Sequence, residues 1–266
     1  MRRLLKLSSL VVLVILLICL PVYGAVEFVG GANLLWDDTA IIDTSKNQHS
    51  ISVTIIPYDV DYSPSTTWGQ VILFTGRNGL MSLSFGDTGI PRFRWYIGST
   101  WYEVAASGAW TDGVPVTLVG VWQRNAACYL YVNGTQYAGS SIDGALAGGG
   151  GVYYNSLGGY GFGTSYSQND YTFRGTISEA CVWNDNAVSA QDAINLSSKV
   201  TASCRDIDSS KLSAYWPLDE YPDGTSVIGQ YYASQDPSHA GSTSANLYGS
   251  GATSITAKAE PQMTHK

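Results

Sequence analysis

Charged residues are scarce in this sequence. Lysine, arginine, aspartate and glutamate make up 13% of its 266 residues, and the acidic excess gives a formal net charge of −7. No basic run follows the first few residues, which argues against nucleic-acid binding, because that function needs clustered lysine and arginine against phosphates. Beyond residue 20 no apolar run approaches the roughly 20 residues that a membrane-spanning helix requires. The sequence therefore predicts neither a nucleic-acid partner nor a membrane span in the mature chain.

The residues and motifs of common catalytic and metal centres are also few. There are three histidines, no Gly-x-Ser-x-Gly motif, and no Cys-x-x-Cys or His-x-x-x-His spacing. A glycosidase needs two carboxylates that face each other across a cleft. The five glutamates are far apart in the chain: Glu27, Glu103, Glu179, Glu220 and Glu260. Only Glu103 lies in a strand that could line a cleft, so the sequence predicts a protein that is not an enzyme and requires no cofactor.

The N-terminus has the pattern of a secretory signal peptide. Arginine and lysine precede an apolar run at 10–20, which Pro21 ends, and small residues stand around position 24. That run is too short to span a bilayer but suits the apolar segment of a signal peptide. We expect residues 1–24 to be removed and the protein to be secreted, extracellular or at the cell surface.

The body of the chain is predicted to be all β. Short runs rich in β-branched and aromatic residues alternate with turn residues, and they lie at 50–56, 70–74, 80–85, 92–97, 101–105, 116–122, 128–132 and 173–183. One short helix is predicted from Ser189 to about residue 199, where Ser189 and Asp192 have the spacing of a capping box. Because helices do not alternate with the strands, a parallel sheet is excluded and an antiparallel sandwich is favoured.

Three motifs carry a resemblance to a known family. A strand that ends at Trp122 is followed by Leu-Tyr-Val-Asn-Gly at 130–134. A glycine-rich approach at 158–163 leads to Phe-Arg-Gly-x-Ile-x-Glu at 173–179, and Trp183 leads into the helix. Over residues 31–196 the chain resembles the laminin-G-like family of concanavalin A-like lectin and glucanase domains, in its bacterial or phage-borne form. The resemblance implies a two-sheet antiparallel jelly-roll sandwich with one short helix on a late connector.

The C-terminal part leaves two interpretations open. Residues 215–220 resemble the opening strand of such a domain, and too few residues follow for a second sandwich. They either begin a repeat that was lost or complete the first domain. We favour the second, because a half-sandwich would expose its apolar face. The predicted domain is 25–249, with 211–249 completing or extending it, and 250–266 is predicted to be a flexible tail.

Three cysteines remain after the signal peptide. Cys181 closes a predicted strand and Cys204 follows the helix, so a disulfide between them would hold the connector against the sheet. In the chain-entropy model a loop of that size contributes about 3 kcal/mol. Cys128 alternates with apolar residues of its strand and is predicted to be a buried thiol.

Ligand-binding residues are predicted among the aromatic side chains. Sugars stack on exposed aromatic rings, and these rings occur at turns and in one long loop: Trp101, Tyr102, Trp110, Tyr153 and Tyr154. Strand alternation assigns Phe93 and Trp95 to the core and puts Arg92, Arg94 and Tyr96 on the opposite face.

Calcium is the ion that the loops could hold. It takes carboxylate, amide and carbonyl oxygens, and four loop aspartates supply candidates: Asp59, Asp61, Asp112 and Asp170. Solvated turn residues are the alternative explanation of the same aspartates.

The combined prediction is a secreted, non-catalytic recognition module. It would bind an extracellular glycan or a cell-surface protein partner through loops and one sheet face. The alternative is a self-assembling structural protein of a surface layer, filament or virion. A glycoside hydrolase is third, and two facing carboxylates would be needed to support it.

Overall fold

The computed structural model describes residues 25–28, 33–36, 41–60, 69–76, 79–148, 155–160, 171–198, 203–216, 218, 226–228, 244–248 and 255–258. No helix in these ranges is long and apolar enough to cross a membrane. Tyr153, Tyr154, Asp61 and Asp170, together with the predicted signal peptide, lie outside them.

Sixteen strands and one α-helix make up the regular structure of the described ranges. The strands are β1 Ala25–Phe28, β2 Asn33–Trp36, β3 Gln48–Pro57, β4 Gln70–Thr75, β5 Met81–Phe85, β6 Pro91–Ile97, β7 Thr100–Ala105, β8 Val116–Gln123, β9 Ala127–Val132, β10 Thr135–Ser141, β11 Asn155–Leu157, β12 Gly175–Asn184, β13 Leu212–Trp216, β14 Ser226–Ile228, β15 Ser244–Tyr248 and β16 Ile255–Lys258. The helix is α1 Ala190–Ser198, and short 3-10 helices span Cys204–Asp206 and Ser209–Lys211.

The strands form two antiparallel sheets of eight strands each. Sheet A has the order β10-β9-β8-β3-β12-β1-β16, with β13 also paired to β12. Sheet B has the order β14-β15-β2-β11-β4-β5-β6-β7. The two sheets pack face to face, so the predicted all-β jelly-roll sandwich with a single helix is confirmed.

The main core lies between the two sheets and follows strand alternation. On β3, Ile51, Val53 and Ile55 are buried in it, and on β6 Phe93 and Trp95 are buried as predicted. Cys128 is also fully buried, and burial raises the pKa of its thiol to about 11. The prediction of a buried thiol at Cys128 is thereby confirmed.

A second apolar cluster covers the outer face of sheet A. The connector after β12, which includes α1, packs Ala193 and Leu196 against that face. Cys181 and Cys204 form the predicted disulfide. Glu179 accepts hydrogen bonds from the Ser203 hydroxyl at 2.5 Å and from the Cys204 amide at 3.3 Å. The connector is therefore fixed to β12 by both a covalent bond and a carboxylate.

The C-terminal strands pair with strands of the sandwich. β13 pairs with β12, β15 pairs with β2, and β16 pairs with β1. β13 contributes to both clusters, since Ala214 and Trp216 lie in the main core while Leu212 and Tyr215 lie in the second cluster. β16 falls within the segment predicted to be a flexible tail. The domain boundaries themselves stay a prediction.

Strand β10 was not predicted from the sequence, for a physical reason. It is the edge of sheet A, most of its residues are exposed, and its small polar side chains give no apolar alternation. It pairs with β9 across the turn at Asn133 and Gly134, where both residues have positive φ. Those angles are typical of a two-residue hairpin turn and explain the Asn-Gly pair.

Candidate functional site

The outer face of sheet B is shaped by the hairpin of β6 and β7. Its turn is Gly98 and Ser99, both with positive φ, and this short turn fixes the register. Arg94 is thereby paired with Glu103, and Tyr96 with Trp101. Residues that are paired across two strands share a face, so an aromatic pair and an ion pair lie side by side on this surface.

An aromatic patch occupies one part of this face. It consists of the half-buried rings of Tyr96, Trp101, Tyr160 and Tyr171 around the buried Phe74. The ring centroids of Tyr96 and Trp101 are 5.1 Å apart, and Tyr160 lies 4.7 Å from Phe74 and 5.7 Å from Tyr171. Such spacings are those of interacting aromatic pairs.

A charged network of Asp87, Arg92, Arg94 and Glu103 lies beside the aromatic patch. Arg94 Nε is 2.8 Å from Glu103 Oε2, and Arg92 Nη1 is 3.8 Å from the same oxygen. Arg92 Nη2 also lies 3.3 Å from Asp87 Oδ1. Burial lowers the pKa of Arg94 from its ordinary value, and Glu103 opposes that shift. A guanidinium stays charged in a protein, and Glu103 and Asp87 both help to compensate this buried charge.

A glycine makes room for Arg92. A Cβ placed on Gly86 would lie 2.4 Å from the Cζ atom of Arg92, which shows that the guanidinium rests directly over the Gly86 backbone. Any larger residue at 86 would push the guanidinium away from its present position. The position of Arg92 between two carboxylates therefore depends on the residue at 86 as well.

Two buried hydroxyls lie in the floor of the same face. Ser82 and Ser84 of β5 are fully buried and are paired in register with Arg94 and Arg92. Within the described ranges, neither hydroxyl has a hydrogen-bond partner. Buried polar groups without a protein partner are uncommon and usually meet water or a ligand.

The predicted ligand-binding aromatics do not share one surface. Trp101 lies in the aromatic patch, whereas Tyr102, the next residue of β7, points to the opposite side and packs against the main core, 6.2 Å from the ring of Trp95. Trp110 also packs against the main core and donates from Nε1 to the carbonyl of Val114 at 2.8 Å. Tyr153 and Tyr154 fall outside the described residues.

The two described candidates for calcium ligands hold protein groups. Asp59 Oδ2 lies 2.7 Å from Arg174 Nη1, and Asp112 Oδ1 accepts from the amide of Val60 at 2.7 Å. Both aspartates thus fix the loop after β3 at neighbouring positions. Asp61 and Asp170 lie outside the described residues, and calcium binding stays a prediction.

Within the described part of the chain, one cluster has three side chains with metal-ligating atoms, and it does not fit a metal. It consists of Glu179, Cys181 and Cys204. Because the two cysteines are bonded to each other, they offer no thiolate, which is the form that binds metals. The carboxylate of Glu179 is also occupied by the hydrogen bonds from the connector.

Sequence reasoning did not select the charged network or Tyr96 as site residues. The signal was present, because alternation in 92–97 already put Arg92, Arg94 and Tyr96 on the face away from the core. What was missing was the hairpin register, which follows from a two-residue turn at Gly98 and Ser99. Counting back from that turn would have paired Arg94 with Glu103.

Comparison with known proteins gives a family and a fold. The family model described as the concanavalin A-like lectin/glucanases superfamily matches residues 43–193, more than half of the chain. No curated protein sequence matches it.

Solved structures with a similar fold include the following two. A Bacteroides ovatus protein, described only provisionally as carbohydrate binding, is 17% identical with a TM-score of 0.55, over 90% of this chain and 60% of its own. The heptameric pentraxin of Limulus polyphemus is 14% identical with a TM-score of 0.46, over 66% of this chain and 82% of its own. At 17% identity the likeness to the Bacteroides ovatus protein concerns the fold alone.

Proposed function

The chain belongs to the concanavalin A-like lectin/glucanases superfamily, and from this premise we propose that it is a non-catalytic module that binds glycans on the outer face of sheet B. The observation that carries the proposal is the aromatic patch beside the charged network. A sugar ring has an apolar side that stacks on aromatic rings, and hydroxyls that need donors and acceptors. This face offers both within one hairpin.

The accessibility of the two outer faces supports this choice. The outer face of sheet A is covered by the connector and its disulfide. On sheet B, by contrast, Trp101 is half-buried and the side chain of Glu103 is 43% exposed. A ligand could therefore reach the hairpin of β6 and β7 without displacing a packed helix.

Binding rather than hydrolysis is proposed because of how the carboxylates are held. A glycosidase uses one carboxyl that holds a proton and a second that acts as base or nucleophile. Asp87 and Glu103 both contact the guanidinium of Arg92, and Glu103 also pairs with Arg94. Arg92 thus lies between the two carboxylates, whereas a glycosidase keeps the space between its two carboxyl groups open for the substrate.

The test is a glycan array followed by calorimetry on a Trp101→Ala variant. Burying an aromatic ring against a ligand contributes about 1.5–3 kcal/mol, so we expect affinity for any array hit to fall at least about tenfold. Tyr129→Ala is the matched control, because Tyr129 is a half-buried aromatic on the outer face of sheet A. Equal losses in both variants, or no loss in Trp101→Ala, would contradict the proposed face.

Repeating the array in EDTA tests the predicted calcium dependence separately. A hit that survives EDTA and is lost in Trp101→Ala supports the aromatic patch. A hit that disappears in EDTA but tolerates Trp101→Ala would place recognition at the loop aspartates, with Asp59 and Asp112 as the first positions to change. No hit in any condition would favour the assembly role.

We also propose that the protein works outside the cell. Disulfides persist in oxidising compartments and are rare in the cytosol. The bridge between Cys181 and Cys204 holds a connector that covers an apolar sheet face, so it supports this location. Detection of the bridged protein in the medium or on intact cells would test it.

A further inference from the structure

We infer that the ligand of this face is a neutral glycan, and that Glu103 excludes glycans carrying carboxylate or sulfate groups. The inference rests on the proposed function and names its substrate class. It comes from the charges on the outer face of sheet B, how deeply each is buried, and which groups they already contact.

Among the described residues, each guanidinium of the charged network already contacts a carboxylate. Two guanidiniums and two carboxylates are joined by three contacts, of 2.8, 3.3 and 3.8 Å. A guanidinium that recognises an acidic sugar would have to bring an unpaired charge to it, as arginine clusters do for phosphate and carboxylate ligands. Arg92 and Arg94 instead have a carboxylate beside them already, so an anionic ligand would compete with Asp87 and Glu103.

The relative exposure of the charged side chains also favours a neutral ligand. The side chain of Glu103 is 43% exposed, whereas those of Arg92 and Arg94 are 16% and 8% exposed. The group that a ligand meets first is therefore the carboxylate, and the guanidiniums lie behind it. An acidic sugar would approach a like charge at short range, which disfavours binding. The net charge of −7 adds to that repulsion.

Hydroxyl groups fit the same surface without conflict. A sugar hydroxyl can donate to Glu103 and accept from Arg92 at once, because carboxylates only accept and guanidiniums only donate. Ser82 and Ser84 lie beside the two arginines on the neighbouring strand, but both are fully buried and so are not part of the surface that a ligand meets. The aromatic patch next to them supplies the apolar contact.

The experiment compares matched neutral and acidic sugars on the wild-type protein. The probes are immobilised oligosaccharides ending in glucose or galactose, their glucuronate and galacturonate counterparts, and sulfated galactose. We expect the neutral member of a pair to bind at least about tenfold more tightly. Equal or tighter binding of the acidic members overturns the inference but leaves the proposed function standing. Binding of neither class overturns both.

Glu103→Gln removes the charge while keeping the shape. We expect this variant to lose about tenfold in affinity for the neutral probe and to gain affinity for its acidic counterpart, because the exposed negative charge beside the guanidiniums is then gone. Glu179→Gln, the same change on the outer face of sheet A, is the control and should leave both affinities unchanged. Unchanged selectivity in Glu103→Gln would refute the role assigned to that carboxylate. Thermal unfolding of each variant distinguishes a lost contact from a lost fold.

Discussion

At the scale of single residues, strand alternation decides which side chains are available to a ligand. Trp101 and Tyr102 are neighbours in the sequence, yet one lies in the outer aromatic patch and the other packs against the main core. Both are aromatic residues of the type that stacks on sugar rings. The pleat of β7 separates them, because successive side chains of a strand point to opposite faces.

His49 gives a prediction about pH and stability. The ring is fully buried and stacks on Trp122 at 5.4 Å. Burial is the main cause that lowers its pKa from 6.5 to about 4, against the opposing effect of Asn184. Between those two pH values the unfolded chain therefore binds more protons at His49 than the folded chain does. The contribution of the neutral ring to stability is fully present above pH 6.5 and is lost as the pH falls towards 4.

Denaturant unfolding at two pH values measures this contribution. Between pH 7.5 and 5 we expect the free energy of unfolding to fall by about 2 kcal/mol because of His49 alone. The variant His49→Gln does not titrate in this range, so its loss should be smaller by that amount. The same pH dependence in both proteins would show that other groups cause it.

At the scale of elements, the connector after β12 works as a cover that is fastened at several points. The disulfide and the Glu179 hydrogen bonds hold the middle of the connector. Its two ends are joined by an ion pair, in which Lys211 Nζ lies 3.1 Å from Asp185 Oδ2. Trp183 Nε1 donates to the carbonyl of Ile207 at 2.9 Å, beneath the cover. These contacts let a short helix with only two buried residues stay in place.

Loss of the disulfide should therefore weaken the whole domain. We expect the double variant Cys181→Ala/Cys204→Ala to lose about 3 kcal/mol of unfolding free energy, because the bridge restricts the unfolded chain. Reductant should lower the melting temperature of the wild-type protein and leave that of the double variant unchanged. Equal sensitivity to reductant would mean that the bridge does not stabilise the domain.

At the scale of the whole molecule, the two sheets have different surroundings. Sheet A has the main core on one side and the connector on the other, while sheet B has the main core on one side and the candidate site on the other. Strands β3 and β12 lie inside sheet A, and β7 and β10 are edges. Unfolding should therefore begin at the edges and reach the middle of sheet A last.

Native-state hydrogen exchange tests this order. Amides of β3 and β12 should exchange only through global unfolding, whereas amides of β10 should exchange through local opening at a much lower free energy. The exposed side chains of β10 give it little packing energy. Equal protection of β3 and β10 would contradict the prediction and would show that the sandwich opens as one unit.

The sequence by itself determined the all-β class, the positions of most central strands, the disulfide and the burial of Cys128. These features depend on local patterns: apolar alternation, turn residues and the placement of two cysteines around a helix. Edge strand β10 was not predicted, because its exposed polar residues show no apolar alternation, although the Asn133–Gly134 turn marked its start.

Only the tertiary structure decided which residues belong together in the candidate site. It joined Trp101 to Tyr96 and Glu103 to Arg92 and Arg94, and it separated Tyr102 and Trp110 from them. It also showed Asp59 and Asp112 holding backbone and side-chain groups of the protein. Such neighbours depend on the pairing of strands and on the packing of two sheets. Composition and spacing along one chain do not contain that information.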